Sequence, residues 1–198
     1  MSLRHSYTII APLYDALLAT AGTGVRAASL AQLPRQGDLD ILISGIGSGL
    51  DLPYLPPCHR YIGLDLTSAM LNRVKPRIGS LRVDLVQGDS MSLPFTDEYF
   101  DHVVLHLILA IVPDARICLR ETARVLKPGG SVLILDKFLK PGETAWLRRT
   151  LNLLTQHVVT RLDVVFEDVL ASVPQLKVEA DAPVLASGWF RSIRLIKD

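Results

Sequence analysis

The sequence predicts an α/β protein built on a doubly wound, seven-stranded, mostly parallel sheet. Apolar, β-rich runs alternate with stretches of helical spacing, which is the pattern of strands joined by crossover helices. The first apolar run, 39–44, is followed directly by Gly45, Gly47 and Gly49. Glycines at alternate positions after a strand are typical of a chain that turns sharply beside a ligand. The 198 residues contain no internal repeat and no long linker, so we expect a single domain.

Five strands and two helices follow from the local pattern. The strands are apolar runs bounded by turn residues, at 39–44, 60–65, 82–87, 100–107 and 131–137. Thr67 or Ser68 is predicted to cap a helix that continues to about residue 74, before Pro76 ends it. A second helix, 114–126, has helical spacing and is predicted to stop at the turn Lys127-Pro128-Gly129-Gly130.

The two ends of the chain complete the predicted architecture. Segments 175–184 and 189–196 are joined by Ala186-Ser187-Gly188, which predicts a C-terminal antiparallel hairpin. Residues 7–32 have helical character, and we expect them to form an N-terminal helical lid. The domain then divides into a lid at 1–36, a cofactor-binding half at 37–137 and a substrate-side half at 138–198.

Composition and charge exclude several functions. The formal net charge is +1, from 21 basic and 20 acidic residues, so no strong field attracts nucleic acid. The longest apolar run is interrupted by His106 and is far shorter than the roughly 18 residues of a membrane-spanning helix. Cys58 and Cys118 lack metal-ligand spacing and predict reduced thiols in a cytoplasmic protein. Pro12 and Asp15 interrupt the apolar core that an export signal would need.

An acidic residue follows the glycine loop at the spacing that nucleotide-binding sheets favour. Asp65 ends the second predicted strand, about 20 positions after Gly45, where a carboxylate can accept hydrogen bonds from ribose hydroxyls. The alternative is a helix cap or turn residue, and the glycine loop favours the ribose role. A dinucleotide loop needs another glycine three positions after the second, where Leu50 or Leu52 stands. An NAD-dependent oxidoreductase is therefore the weaker interpretation.

Four further motifs extend this pattern along the chain: Gly88-Asp89-Ser90, 93–95, 100–104 and 121–130. Together with the glycine loop, they resemble the ubiquinone and menaquinone biosynthesis type of class I S-adenosylmethionine-dependent methyltransferases. The resemblance implies a Rossmann-like methyltransferase fold. It also implies an enzyme that uses S-adenosylmethionine as its cofactor and releases S-adenosylhomocysteine.

The same resemblance assigns cofactor-binding roles at the strand ends. The residues concerned are Gly45, Ile46, Gly47, Gly49, Asp65, Leu66, Gly88, Asp89, Ser90 and His106. The glycines would approach the methionine part, Asp65 the ribose, Leu66 the adenine face and Asp89 the adenine amino group. Asp89 alone is equally typical of a turn. In one departure, Ile43 occupies the position where this family usually carries Asp or Glu, which predicts weaker cofactor binding.

Methyl transfer is an in-line displacement, so the protein mainly has to align the nucleophile, the methyl carbon and the leaving sulfur. We expect neither a nucleophilic residue nor a metal. His106, at the end of the fourth strand, is a candidate general base; the alternative is a histidine whose hydrogen bonds are satisfied within the core. Tyr14 and Tyr7 are candidates to line the acceptor pocket, or only to fasten the lid.

The C-terminal part of the sequence indicates an acceptor class. Motifs within 136–142, 148–167 and 188–191 resemble bacterial phosphatidylethanolamine N-methyltransferases of the soluble, membrane-associating kind. This implies a small-molecule or lipid acceptor, with a phospholipid amine among the candidates. Apolar residues at helical spacing within 147–158 suit peripheral contact with the inner membrane surface, or a helix packed on the sheet.

A second class of function is compatible with the same fold. A non-catalytic S-adenosylmethionine-binding regulatory protein would keep the glycine loop and Asp65 without transferring a methyl group. Ile43 motivates this alternative.

Overall fold

Seven strands form one mixed sheet in a computed structural model that describes residues 22–139, 164–185 and 189–198. The strands are β1 (Asp40–Ser44), β2 (Arg60–Asp65), β3 (Arg82–Gln87), β4 (Phe100–His106), β5 (Leu126–Lys137), β6 (Leu176–Leu185) and β7 (Phe190–Lys197). Their order is β3-β2-β1-β4-β5-β7-β6. Strands β1 to β5 pair in parallel, whereas β7 is antiparallel to both β5 and β6. The predicted fold class is confirmed, including the C-terminal hairpin.

Four α-helices lie in the described residues: α1 (Thr23–Leu30), α2 (Ser68–Val74), α3 (Ala115–Val125) and α4 (Phe166–Leu170). The predicted cap of α2 is confirmed, because the Thr67 hydroxyl accepts a hydrogen bond from the Met70 amide. Asp114 caps α3 in the same way, through the amides of Arg116 and Ile117. The predicted lid residues 7–21, with Tyr7 and Tyr14, the segment 147–158 and the hairpin turn 186–188 lie outside the described residues.

One predicted boundary is wrong. Residues 127–130 were expected to form a turn before the fifth strand, but β5 begins at Leu126, directly after α3. Leu126 pairs with Phe100, and the register then shifts before Ser131 pairs with His102. The chain accommodates the proline and glycines as an irregular start of the strand, with β4 pairing at Leu126 before them and at Ser131 after them.

The sheet is covered by apolar packing on both faces, as a doubly wound fold requires. Leu42 packs with Val103, Leu105 and residues of α3 on one face. Ile41 and Ile43 lie on the other face, with Leu30 of α1 and Val74 of α2. This alternation is the two-residue period of a strand, and it leaves β1 buried on both sides.

The strand order creates a crevice beside β1. The chain runs from β1 outward to β3 on one side, then returns so that β4 and β5 lie on the other. At such a reversal the connections leave in opposite directions, and ligands bind beyond the carboxyl ends of the strands. The glycine loop after β1 and the segment after β4 meet at this point.

The chain leaves the sheet after β5 and returns to nearly the same place. The Leu139 amide donates to the Val164 carbonyl at 2.9 Å, so these two residues lie side by side. The rings of Phe138 and Phe166 are 5.2 Å apart, and the Arg191 guanidinium lies over both of them. Arg191 also pairs with Glu167 and Asp181, which fixes this junction to the C-terminal hairpin.

A pair of glycine substitutions tests the irregular start of β5. A Cβ at Gly130 would lie 2.7 Å from the Asp101 carbonyl oxygen and 2.9 Å from that of Lys127, whereas a Cβ at Gly129 meets open space. We expect Gly130→Ala to lower the free energy of unfolding by about 3 kcal/mol, since the contact is with backbone that cannot move aside. Gly129→Ala should cost only about 1 kcal/mol, from its positive φ. Urea denaturation of both variants makes the comparison, and equal losses would contradict it.

Candidate active site

A cleft of about 180 Å³ opens at the carboxyl ends of β1, β2 and β4. Its walls come from the glycine loop, the ends of β2 and β3, and the segment after β4. The lining residues are Gly45, Gly47, Asp65, Leu66, Thr67, Asp89, Ser90, Met91, Leu107, Ile108, Ile111, Val112 and Pro113. Six of the ten residues that the sequence assigned to the cofactor therefore line one cleft, although they come from three separate segments.

The glycine loop forms the floor of the cleft, and its three glycines all have positive φ, at 78°, 55° and 80°. The amides of Gly45 and Ile46 both donate to the Leu64 carbonyl, at 2.8 and 2.9 Å, which ties the loop to β2. At Gly47 a Cβ would have no protein atom closer than 4.0 Å, so the backbone there is open to a close ligand approach. Gly49 and Ile46 do not line the cleft, and they pack into the core beneath it.

Asp65 makes the turn contacts that were one of its two interpretations, and it also lines the cleft, where the ribose role stays a prediction. One carboxylate oxygen accepts hydrogen bonds from the Thr67 amide and hydroxyl at the start of α2. The other accepts from the Gly47 amide at 3.0 Å, so Asp65 holds the glycine loop while it lines the cleft. Burial raises the pKa of Asp65, and the hydrogen bonds from Thr67 and Gly47 offset this only in part.

The Gly88-Asp89-Ser90 motif shapes the wall opposite the loop. Asp89 accepts a hydrogen bond from the Met91 amide at 2.8 Å, which is the turn that the sequence allowed, and it also lines the cleft. The Ser90 hydroxyl accepts from the Ser44 hydroxyl at 2.8 Å and so joins this wall to the end of β1. Gly88 lies behind the wall, because a Cβ there would be 2.9 Å from the Leu64 side chain.

The third wall, residues 107–113, is apolar and is held by a carboxylate that the sequence did not single out for the site. Leu107 has a φ of 58°, an uncommon conformation for leucine that turns the chain sharply out of β4. Asp136, at the end of β5, is 1% exposed and accepts hydrogen bonds from the Ala110 amide at 3.1 Å and from the Lys137 amide at 2.8 Å. Burial raises the pKa of Asp136 to about 6. A single acid after a strand carries no sequence signal for this role.

His106 lies beside the cleft but does not line it. Its Nε2 is 3.0 Å from the Ser29 hydroxyl, and its Nδ1 is 3.0 Å from an Asp51 carboxylate oxygen. The side chain is only 1% exposed. Both ring nitrogens are thus engaged within the protein, which is the alternative of a satisfied, buried histidine. This placement leaves neither nitrogen directed at an acceptor in the cleft. The Tyr14 prediction lies outside the described residues.

A comparison with known protein families matches the part of the sequence that lines the cleft. A sequence family described as a methyltransferase domain matches residues 40–134, which include every cleft-lining residue. Residues 40–134 form a methyltransferase domain. The protein is an S-adenosylmethionine-dependent methyltransferase, and S-adenosylmethionine is its cofactor.

Relatives and solved structures agree with the domain match. A phosphatidylethanolamine N-methyltransferase of Cereibacter sphaeroides is 28% identical over 187 residues, which cover 92% of this chain and 91% of that protein. A Staphylococcus aureus demethylmenaquinone methyltransferase is 43% identical over 81 residues, covering 40% of this chain and 34% of that protein. The methyltransferase solved in complex with the Haloferax volcanii Trm112 activator shares the fold, with a TM-score of 0.76, 18% identity and 97% of each chain covered.

The residues of this methyltransferase fit the cofactor of its class. The backbone at Gly47 is open, and Asp65 and Asp89 present carboxylates to the cleft for hydroxyl and amino donors. The Ser48 hydroxyl in the same loop is buried, does not line the cleft and has no hydrogen-bond partner among the described residues. Within the described part of the chain, His, Cys, Asp and Glu side chains form no group that would hold a metal ion.

The helices of the methyltransferase in the described ranges are all too short or too polar to span a membrane.

The buried carboxylate behind the apolar wall predicts a pH dependence of stability. The pKa of Asp136 is raised from 3.8 to about 6 in the folded protein. The protonated side chain therefore adds its full contribution to the free energy of unfolding below about pH 4, and this contribution is lost as the pH rises through 6. Between pH 4 and pH 7 we expect the wild type to lose roughly 3 kcal/mol of unfolding free energy relative to Asp136→Asn.

Urea denaturation across this pH range measures that difference. Asp84→Asn, which changes an exposed carboxylate on β3, corrects for the loss of one negative charge. A difference between wild type and Asp136→Asn that stays constant with pH would contradict the assignment.

Proposed function

We propose that this methyltransferase transfers the methyl group of S-adenosylmethionine to a lipid or small-molecule acceptor, and that a phospholipid amine is the first acceptor to test. The observation that carries the proposal is the composition of the cleft, in which two carboxylates face an apolar wall beside an open glycine loop. The similarity to a phosphatidylethanolamine N-methyltransferase along most of both chains supports a lipid acceptor. The shorter similarity to demethylmenaquinone methyltransferases supports an apolar acceptor more generally.

In this proposal the polar side of the cleft binds the nucleoside. Asp65 accepts hydrogen bonds from the ribose hydroxyls with the lone pairs that Thr67 and Gly47 leave free. Asp89 accepts from the adenine amino group with the oxygen that Met91 does not use. Leu66, which is 44% exposed at the rim, covers the adenine face. The open backbone at Gly47, with Gly45 beside it, receives the methionine part.

The apolar wall supplies orientation and excludes water. When bound, S-adenosylmethionine supplies a sulfonium methyl group that a nucleophile displaces in line. Residues 107–113 present the apolar side chains of Leu107, Ile108 and Ile111 toward the cleft, where they offer water no hydrogen-bond partner. Holding an acceptor in line in this way can lower the barrier by several kcal/mol, because orientation and solvent reorganisation are settled on binding.

No described residue that lines the cleft is a histidine, lysine or cysteine. We therefore propose that the acceptor binds as a nucleophile already able to attack, such as an unprotonated amine. Tyr14 remains a candidate for contact with it. Peripheral contact with the cytoplasmic membrane surface is part of the proposal, and it rests on the apolar face within 147–158 of the sequence.

A regulatory protein that binds S-adenosylmethionine without transferring its methyl group is the second candidate. Ile43 favours it, because this side chain is 1% exposed within the apolar core and brings no charge to the glycine loop. Incubation with labelled S-adenosylmethionine and separate lipid, quinol and polar-metabolite fractions decides between the two. Label in the lipid fraction supports the phospholipid proposal, label only among polar metabolites refutes it, and binding without any transfer favours the regulatory candidate.

Asp65 gives a direct test of the cofactor site. We expect Asp65→Asn to weaken binding of S-adenosylhomocysteine by about 10- to 100-fold, since the variant loses charged hydrogen-bond acceptors for the ribose and the anchor of Gly47. Titration calorimetry measures the affinity, with Asp84→Asn as the matched control on the neighbouring strand. Unchanged affinity in Asp65→Asn would refute the ribose assignment.

A further inference from the structure

Four buried side chains outside the cleft lining form one connected cluster: Arg26, Ser29, Asp51 and His106. An Asp51 carboxylate oxygen accepts from the Arg26 guanidinium at 2.6 Å and lies 3.0 Å from His106 Nδ1. His106 Nε2 in turn lies 3.0 Å from the Ser29 hydroxyl. All four residues are less than 9% exposed. We call this set the Asp51 cluster.

The Asp51 cluster joins three segments at the cleft. Asp51 lies two positions after Gly49, where the glycine loop ends and a short 3₁₀ turn, Leu52–Tyr54, begins. His106 is the last residue of β4 and directly precedes Leu107, the first residue of the apolar wall. Arg26 and Ser29 belong to α1. The cluster therefore fixes the end of the glycine loop relative to β4 and to the N-terminal helix.

The charge at Asp51 is retained despite complete burial. Burial raises the pKa of this carboxyl, but the contacts with His106 and Arg26 lower it more, so the net shift is well below the ordinary value. The carboxylate does not cap the 3₁₀ turn that it precedes, and one of its oxygens makes both contacts. Nδ1–H donates to Asp51, and a hydrogen bond between Nε2 and the Ser29 hydroxyl engages the other ring nitrogen.

The far end of the glycine loop is held by the Asp51 cluster and by Arg77, which donates to the Ser48 carbonyl at 2.9 Å. Three residues with positive φ make the loop costly to order, because glycine loses the most backbone freedom on folding. Leu64 and Asp65 hold its first half through the amides of Gly45, Ile46 and Gly47. Strand β1 contributes no charged side chain to the loop, since Ile43 and Ser44 are both buried and uncharged.

From this geometry we infer that Asp51, held by Arg26 and His106, is the positioning residue that keeps the glycine loop in its cofactor-binding conformation. The inference rests on the proposed cofactor site. It assigns His106 to orientation of the loop rather than to proton transfer. The order Ser29, His106, Asp51 has the connectivity of a hydrolase triad, but Ser29 is 2% exposed and lines neither the cleft nor any approach to it in the described structure.

Two measurements on the full chain test the inference. Calorimetry at 15 °C gives the affinity for S-adenosylhomocysteine, and the melting temperature reports the stability of each variant. We expect Asp51→Asn to weaken binding by at least about tenfold, because the loss of a charged acceptor frees the end of the loop. His106→Ala, which leaves the Arg26–Asp51 pair intact, keeps the test available should Asp51→Asn not fold. It should weaken binding by about three- to tenfold.

A conservative replacement separates positioning from bulk packing. His106→Asn retains an N–H donor near Nδ1 and should bind S-adenosylhomocysteine within about threefold of wild type. Equal losses in His106→Asn and His106→Ala would contradict the hydrogen-bond assignment. Asp38→Asn is the matched control, because this exposed carboxylate lies at the opposite end of the sheet, beside Arg60 and Arg82.

The outcomes distinguish the inference from the function on which it rests. If wild type binds and the variants melt at lower temperature with unchanged affinity, the Asp51 cluster is only structural and the inference is overturned. If wild type and the Asp38→Asn control bind no S-adenosylhomocysteine at all, the proposed cofactor site itself fails, and the inference fails with it. Weakened binding in Asp51→Asn and His106→Ala, with the control unchanged, supports the inference.

Discussion

Strand β1 is the constraint on which the rest of this molecule depends. It is buried on both faces and lies between β2 and β4, so both core layers and both halves of the sheet are positioned against five residues. A strand enclosed in this way can offer a ligand only its carboxyl end. The chain must then turn without side chains that would fill the space, which accounts for the three glycines and for the position of the cleft.

Three buried or half-buried carboxylates surround that turn, and their surroundings give them different roles. Asp51 faces a guanidinium and an imidazole, so its pKa falls despite burial. Asp65 faces amide and hydroxyl donors, and Asp136 faces amide donors and the charge of Lys137; neither set offsets desolvation, so the pKa of each is raised. The site thus combines one permanently charged anchor with two acids whose ionisation is costly. Each holds a different backbone segment against the cleft.

The sequence predicted the fold well where the signal is local. The bounds of β2 and β3 match the predicted 60–65 and 82–87, because short apolar runs with turn residues at both ends leave little choice. The start of β5 was missed, since the pairing of Leu126 with Phe100 starts the strand before the irregular stretch 127–130. The Asp51 cluster and Asp136 were also missed as site residues. Their partners lie 25 to 77 positions away in the chain, and no residue pattern encodes which charges meet at that distance.

The junction between Leu139 and Val164 has a consequence for how such proteins diversify. Because the chain leaves and rejoins the sheet at one hydrogen-bonded point, closed by Phe138, Phe166 and Arg191, the sheet does not depend on the length of what lies between. The entropic penalty of closing a longer loop grows only with the logarithm of its length. We therefore expect insertions or deletions between residues 139 and 164 to leave the sheet and the cleft beside β1 in place.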